Sequence, residues 1–134
     1  MTTTPKFETV MVIDDNTIDL YVTARLMSKY NICNSLLQYS SAQEALDYLV
    51  ENSANPNAWP QLLLVDIYMP EMSGFEFMEA FDKLPKALKN YPKVFIVSSS
   101  IDEHDIERAA EDKNVTAFQE KPVTFEFLQK ISSQ

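Results

Sequence analysis

Apolar residues along this chain fall into short continuous runs, separated by longer stretches in which they recur at helical intervals. Phe7 to Ile13 is β-branched and apolar, the pattern of a buried strand, and from Asn16 to Tyr30 it gives way to Ile18, Tyr21, Val22, Arg25, Leu26 and Lys29 at helical spacing. The unit then repeats. Ser35 to Tyr39 reads as a second strand, and Ser41-Ala-Gln-Glu44 has capping-box spacing and opens a helix with Ala45, Leu46, Leu49 and Val50 on one face. Asn52 to Pro60 is a polar, proline-containing loop that holds Trp59, after which Leu62 to Val65 is an all-apolar strand running into Asp66.

Met69 to Gly74 reads as a turn, and Phe75, Met78 and Phe81 form the inward side of a third helix that falters near Pro85. Lys93 to Val97 is a fourth strand; a fourth helix starts near Asp102 with Ile106, Ala109 and Ala110 inward. Val115 to Gln119 is a fifth strand, Lys121-Pro122 a turn, and Thr124 the N-cap of a last helix carrying Phe127, Leu128 and Ile131. Five strands alternating with five helices predict a doubly wound parallel α/β fold. All-apolar strands suit it, because helices cover both faces of the sheet.

Composition narrows the chemistry. A length of 134 residues is one domain's worth, with a tail expected over Met1 to Lys6. Gly74 is the only glycine, so Gly-rich phosphate loops of the dinucleotide or nucleoside-triphosphate type are excluded. Eleven basic residues, dispersed among 20 acidic ones, argue against a nucleic-acid-binding surface. No apolar run approaches the about 20 residues of a membrane span, and the N-terminus lacks the order of a signal peptide. A soluble, cytoplasmic protein is expected. Cys33 is the only cysteine, which rules out an internal disulfide.

In an open parallel sheet, ligands bind beyond the carboxyl ends of the strands. Those ends here carry Asp14-Asp15, Asp66, Ser98-Ser99-Ser100 and Glu120-Lys121-Pro122. Three crowded carboxylates repel one another beyond what one lysine can neutralise, and a divalent cation would relieve them. Oxygen donors without nearby histidine or cysteine favour Mg²⁺ over zinc. An aspartate beside Mg²⁺, a lysine and a hydroxyl is placed to attack phosphorus.

From about Phe7 to Ile131 the chain resembles a response-regulator receiver domain of two-component signalling, a flavodoxin-like fold with strand order 2-1-3-4-5. The resemblance rests on Asp14-Asp15, on Asp66-Ile-Tyr-Met-Pro70 with Gly74, on Ser98 after Phe95-Ile-Val97, and on Lys121-Pro122. It implies that Asp66 is the phosphoacceptor, that Asp15, Asp66 and the carbonyl of Tyr68 hold Mg²⁺, and that Asp14 supports the metal through water. Lys121 would contact the phosphoryl group, Ser98 would swing to bond it, and Phe118 would be the aromatic switch residue. The responding face would be the fourth helix, fifth strand and fifth helix, roughly Glu103 to Ile131. The implied partners are a sensor histidine kinase or a histidine phosphotransfer protein and a downstream protein target, with homodimerisation open. The fold consumes the chain, so a stand-alone switch without an output domain is expected, and no enzymatic turnover beyond its own phosphorylation and dephosphorylation.

Tyr68 and Ser100 stand at positions that vary in the family and influence how fast the aspartyl phosphate hydrolyses. Asn114 replaces a frequent family glycine and would tolerate a left-handed backbone. Other readings stand beside these. Asp14-Asp15 could cap the first helix, and Asp66 could be a turn residue. His104 reads as solvent-exposed, Cys33 as inert, and Trp59 as either a packing anchor or an interface residue. The competing functions are a Mg²⁺-dependent phosphatase of haloacid-dehalogenase type and a receiver-like module that takes no phosphate. The phosphatase signature spaces its two aspartates two apart, whereas Asp14 and Asp15 are adjacent.

Overall fold

The apolar runs form one sheet whose central strands send alternate side chains into two cores, one on each face. The computed structural model describes residues 4–132, so part of the tail expected over Met1 to Lys6 lies outside the described residues. The strands are β1 (Phe7–Ile13), β2 (Cys33–Tyr39), β3 (Leu62–Asp66), β4 (Lys93–Ser98) and β5 (Ala117–Glu120), all parallel, in the order β2-β1-β3-β4-β5. The predicted fold class is the observed one. Helices α1 (Thr17–Lys29), α2 (Ala42–Glu51), α3 (Gly74–Phe81), α4 (Lys86–Lys89) and α5 (Glu103–Glu111) lie in the crossovers, and α6 (Phe125–Ser132) follows the last strand. Among the described residues that is six helices rather than five, because four residues after Pro85 turn once more and bury Leu88.

Period two sorts the strand residues. Val10, Val12, Leu62, Leu64, Phe95 and Val97 pack with Leu20 and Met27 of α1 and Phe127, Leu128 and Ile131 of α6. Met11, Ile13, Leu63, Val65, Val94 and Ile96 meet Ala45 and Leu49 of α2, Phe75 to Phe81 of α3, and Ala109 of α5. Coverage on both faces holds for β1, β3 and β4, whereas the edge strands β2 and β5 are only partly buried.

The buried stripes of three helices do not follow the most apolar spacing. Ile18, Tyr21 and Val22 of α1 are exposed, and Leu20, Thr23 and Met27 form its buried stripe. Three- and four-residue spacing is satisfied by both sets, and packing on β1 and β3 selects the second. Likewise Val50 of α2 is exposed beside buried Leu49, and Ala110 of α5 is exposed beside buried Ala109. Ser41 does cap α2, but the reciprocal capping box belongs to Ser73 and Glu76 at the start of α3. Thr124 Oγ1 accepts from the Phe127 N–H, as its place before α6 predicted.

At the end of the sheet opposite the carboxyl ends of the strands, the segments that precede β3 and β4, residues 52–60 and 84–92, meet. The buried Trp59 indole donates to the Asn52 carbonyl at 2.8 Å and meets the Tyr91 ring edge-on at 5.6 Å. Trp59 is therefore a packing anchor. Asn114 does not have a left-handed backbone; Asn31 and Glu71 do, and Asn114 instead donates through its side chain to Asp82. No helix among the described residues is long and apolar enough to cross a membrane.

Candidate functional site

The carboxyl end of β1 delivers Asp14 and Asp15, and the turn into α1 is closed by their neighbour. Asn16 is the N-cap, accepting from the Ile18 and Asp19 N–H groups at 3.0 and 3.1 Å. That relieves Asp14 and Asp15 of a helix-capping duty. Asp14 is buried and accepts from the Asn16 N–H at 2.9 Å, while Asp15 is exposed.

Asp66 ends β3, the central strand, and is buried. Its position depends on Gly74. The Gly74 N–H donates to the Ile67 carbonyl at 2.8 Å, and a Cβ at Gly74 would lie 2.2 Å from the Asp66 carbonyl oxygen. The β3–α3 turn folds back so closely on the strand end that only glycine fits. Sequence reading noted this glycine as part of a motif and missed that contact.

Asp14, Asp15 and Asp66 each offer a carboxylate oxygen within 4.8 Å of the others. Lys121, brought in by the end of β5, places Nζ 2.7 Å from Asp14, 2.8 Å from Asp19 and 3.3 Å from Asp66. Its backbone N–H donates to the Ser98 carbonyl at 2.8 Å, and the Lys121–Pro122 peptide bond is cis. Asp19 is a member of the site that sequence reading missed. It lies 102 residues from Lys121, and no local pattern pairs them.

One ammonium among four carboxylates leaves the crevice short of positive charge. Burial, and then the charge of Asp14, push the Asp66 carboxyl up to about 6, against the opposing pull of Lys121. Burial draws the Lys121 ammonium down, but its bonds to Asp14 and Asp19 and the charge of Asp66 outweigh that and raise it. The lysine stays a cation, and Asp66 carries the strain. The three clustered carboxylates are hard donors with no histidine or cysteine among them, which suits a small oxygen-seeking dication. Beside Lys121 a cavity of about 120 Å³, lined in part by Asp14, Asp19, Asp66 and Val97, is below the roughly 300 Å³ at which pockets for larger organic ligands begin.

Ser98 is fully buried at the end of β4, with its Oγ accepting from the Ser100 N–H at 3.1 Å. Phe118 is half-buried on β5 and packs against the core on the α2–α5 face. Tyr68 is exposed, and its hydroxyl donates to Asp105 of α5, which pushes the phenol up to about 12. His104 is exposed at the start of α5 and lies outside this arrangement. Cys33 is half-buried on β2, and burial pushes its thiol up, away from reactivity.

A sequence profile described as the response regulator receiver domain matches residues 10–132. The crystal structure of a two-component response regulator from Cytophaga hutchinsonii superposes with a TM-score of 0.87 at 26% identity, over 95% of each chain. The two-component response regulator ORR1 of Oryza sativa subsp. japonica is 31% identical over 120 residues, 85% of this chain and 51% of the rice protein. The sensor histidine kinase CheAY of Helicobacter pylori is 30% identical over 122 residues, 91% of this chain and 14% of the kinase. The chain thus spans about half of one of these relatives and a small part of the other.

Proposed function

Because this chain belongs to the response regulator receiver family, we propose that it is a phosphoacceptor switch of a two-component system or phosphorelay, with Asp66 as the acceptor. The observation that carries the reading is the buried Asp66 carboxylate at the end of the central strand, 3.3 Å from Lys121 and grouped with Asp14 and Asp15. An Asp66 oxygen attacks the phosphorus of a phosphohistidine protonated on its other ring nitrogen, the P–N bond breaks, neutral imidazole leaves with that proton, and an acyl phosphate forms. The donor is a sensor histidine kinase or a histidine phosphotransfer protein, a reading supported by the receiver-like stretch within the Helicobacter kinase.

Mg²⁺, held by Asp15, Asp66 and the Tyr68 carbonyl with Asp14 behind it, would offset charge on the phosphoryl oxygens. Lys121 contributes a second positive charge from the β5 side. Ser98 reaches the phosphoryl group by giving up its bond from the Ser100 N–H, a neutral bond worth on the order of 1 kcal/mol. Phe118 then follows Ser98 inward, and the change biases the surface formed by α5, β5 and α6 toward a protein target. The chain acts as a switch and not as a turnover enzyme.

Intact-mass measurement after incubation with Mg²⁺ and acetyl phosphate tests this. A single phosphoryl adduct, absent in Asp66→Asn, is the expected result. No adduct on the wild-type chain points to an inert module, and rapid turnover of many phosphate esters to a phosphatase. Tyr68 shields the acyl phosphate from water in this reading, so Tyr68→Asn should shorten its lifetime, and an unchanged lifetime counts against the shielding.

A further inference from the structure

The ammonium of Lys121 and a dication would compete for the same oxygens. Two of the three carboxylates that hold Lys121, Asp14 and Asp66, belong to the clustered group suited to the metal. Asp19 does not. It sits in the first turn of α1, positioned by the Asn16 cap, and grips Nζ at 2.8 Å from the helix side of the crevice. A carboxylate in a first helical turn is favourable for the helix alone. The long-range contact to a lysine whose side chain is only 11% exposed goes beyond that.

We propose that Asp19 is a positioning residue for Lys121: it takes one of the ammonium's donors toward α1 and so weakens the hold of Lys121 on Asp14 and Asp66, the oxygens for which Mg²⁺ competes. The inference rests on the reading of Asp14, Asp15 and Asp66 as a Mg²⁺ site. An ammonium has three N–H donors, and the three carboxylates around Lys121 can take one each. Without Asp19, the freed donor turns onto Asp14 and Asp66, and the cation moves into the metal's place. With Asp19, the ammonium stays within reach of Asp66 while part of its charge is held aside. Asp19 therefore acts through Lys121 and touches neither metal nor phosphoryl group.

A double-mutant cycle on Mg²⁺ affinity, measured by calorimetry, separates this from the bare charge of Asp19. Asp19→Asn should weaken Mg²⁺ binding about tenfold in the wild-type background and less than about threefold in Lys121→Met, while Asp19→Glu should restore most of the affinity. In metal-free protein, the ¹⁵N resonance of the Lys121 ammonium should move in Asp19→Asn and stay near its wild-type position in Asp19→Glu. An equal loss in both backgrounds, an unmoved Lys121 resonance, or wild-type affinity in Asp19→Asn would overturn the proposal and leave the Mg²⁺ site standing. A wild-type chain that binds no Mg²⁺ would overturn both.

Discussion

Asp82 and Asp66 are each paired with lysine, and their environments are opposite. Asp82, at the C-terminal end of α3, receives Asn114 Nδ2 at 2.9 Å and Lys89 Nζ at 3.2 Å, with Lys113 Nζ at 3.9 Å. The hydrogen bonds from Asn114 and Lys89 hold its carboxyl below the usual range. Asp66 shares its one lysine with Asp14 and Asp19, is buried, and has its carboxyl pushed up to about 6. Around Asp82 several donors converge on one anion; around Asp66 several anions converge on one donor. The first arrangement ties the α3 end to β5's approach and to α4. The second is electrostatically incomplete, the condition of a site that takes up a cation.

The strongest way to disturb the contrast is to dislodge the strand end that carries Asp66. Gly74→Ala places a methyl group against the Asp66 carbonyl, and the backbone must shift, so urea unfolding should show a loss of about 3 kcal/mol together with weaker Mg²⁺ binding. Wild-type stability in this variant would mean that the turn relaxes freely.

Removing the charge of Asp66 should act in the other direction. Its folded value of about 6 lies above its ordinary value, so the folded state holds the proton more tightly. The associated stability is present below about pH 4 and is lost as the pH rises to about 6. Without Mg²⁺, Asp66→Asn should therefore be more stable than wild type at pH 7.5, by on the order of 2 kcal/mol, with the gap closing below about pH 4. A pH-independent gap would break the account of burial and repulsion.

Asp82→Asn should show the smallest effect, with the opposite slope. Its folded carboxyl is depressed, so the contribution is present above the ordinary carboxylate range and is lost as the pH falls through the folded value. A slightly lowered Tm at neutral pH, converging with wild type in acid and shrinking with added salt, is expected because this carboxylate is reached by solvent.

The sheet was legible because Leu62-Leu-Leu-Val65 and Phe95-Ile-Val97 have no polar face, the pattern of strands covered on both sides, and helices alternate with them. The crevice was legible because such a sheet collects its strand ends, and Asp14, Asp15, Asp66, Ser98 and Lys121 are among the polar residues at those ends. What escaped depends on tertiary contact. Asp19 reads locally as an ordinary first-turn carboxylate, and only the packing of α1 on the same sheet face as α6, which follows Lys121, brings the two together. The helical spacing of α1 did not reveal its inward stripe, because exposed Ile18, Tyr21 and Val22 look more apolar than buried Thr23. The Tyr68 bond to Asp105 likewise joins two segments that share no sequence pattern.

A single ¹³C NMR titration of the aspartate carboxyls, with and without Mg²⁺, observes both residues at once. Asp66 should titrate near 6 without the ion and fall well below that with it, while Asp82 titrates below the ordinary range in both conditions. An Asp66 that titrates like a surface aspartate without Mg²⁺, or that does not respond to it, would contradict the account of the crevice as an incomplete cation site.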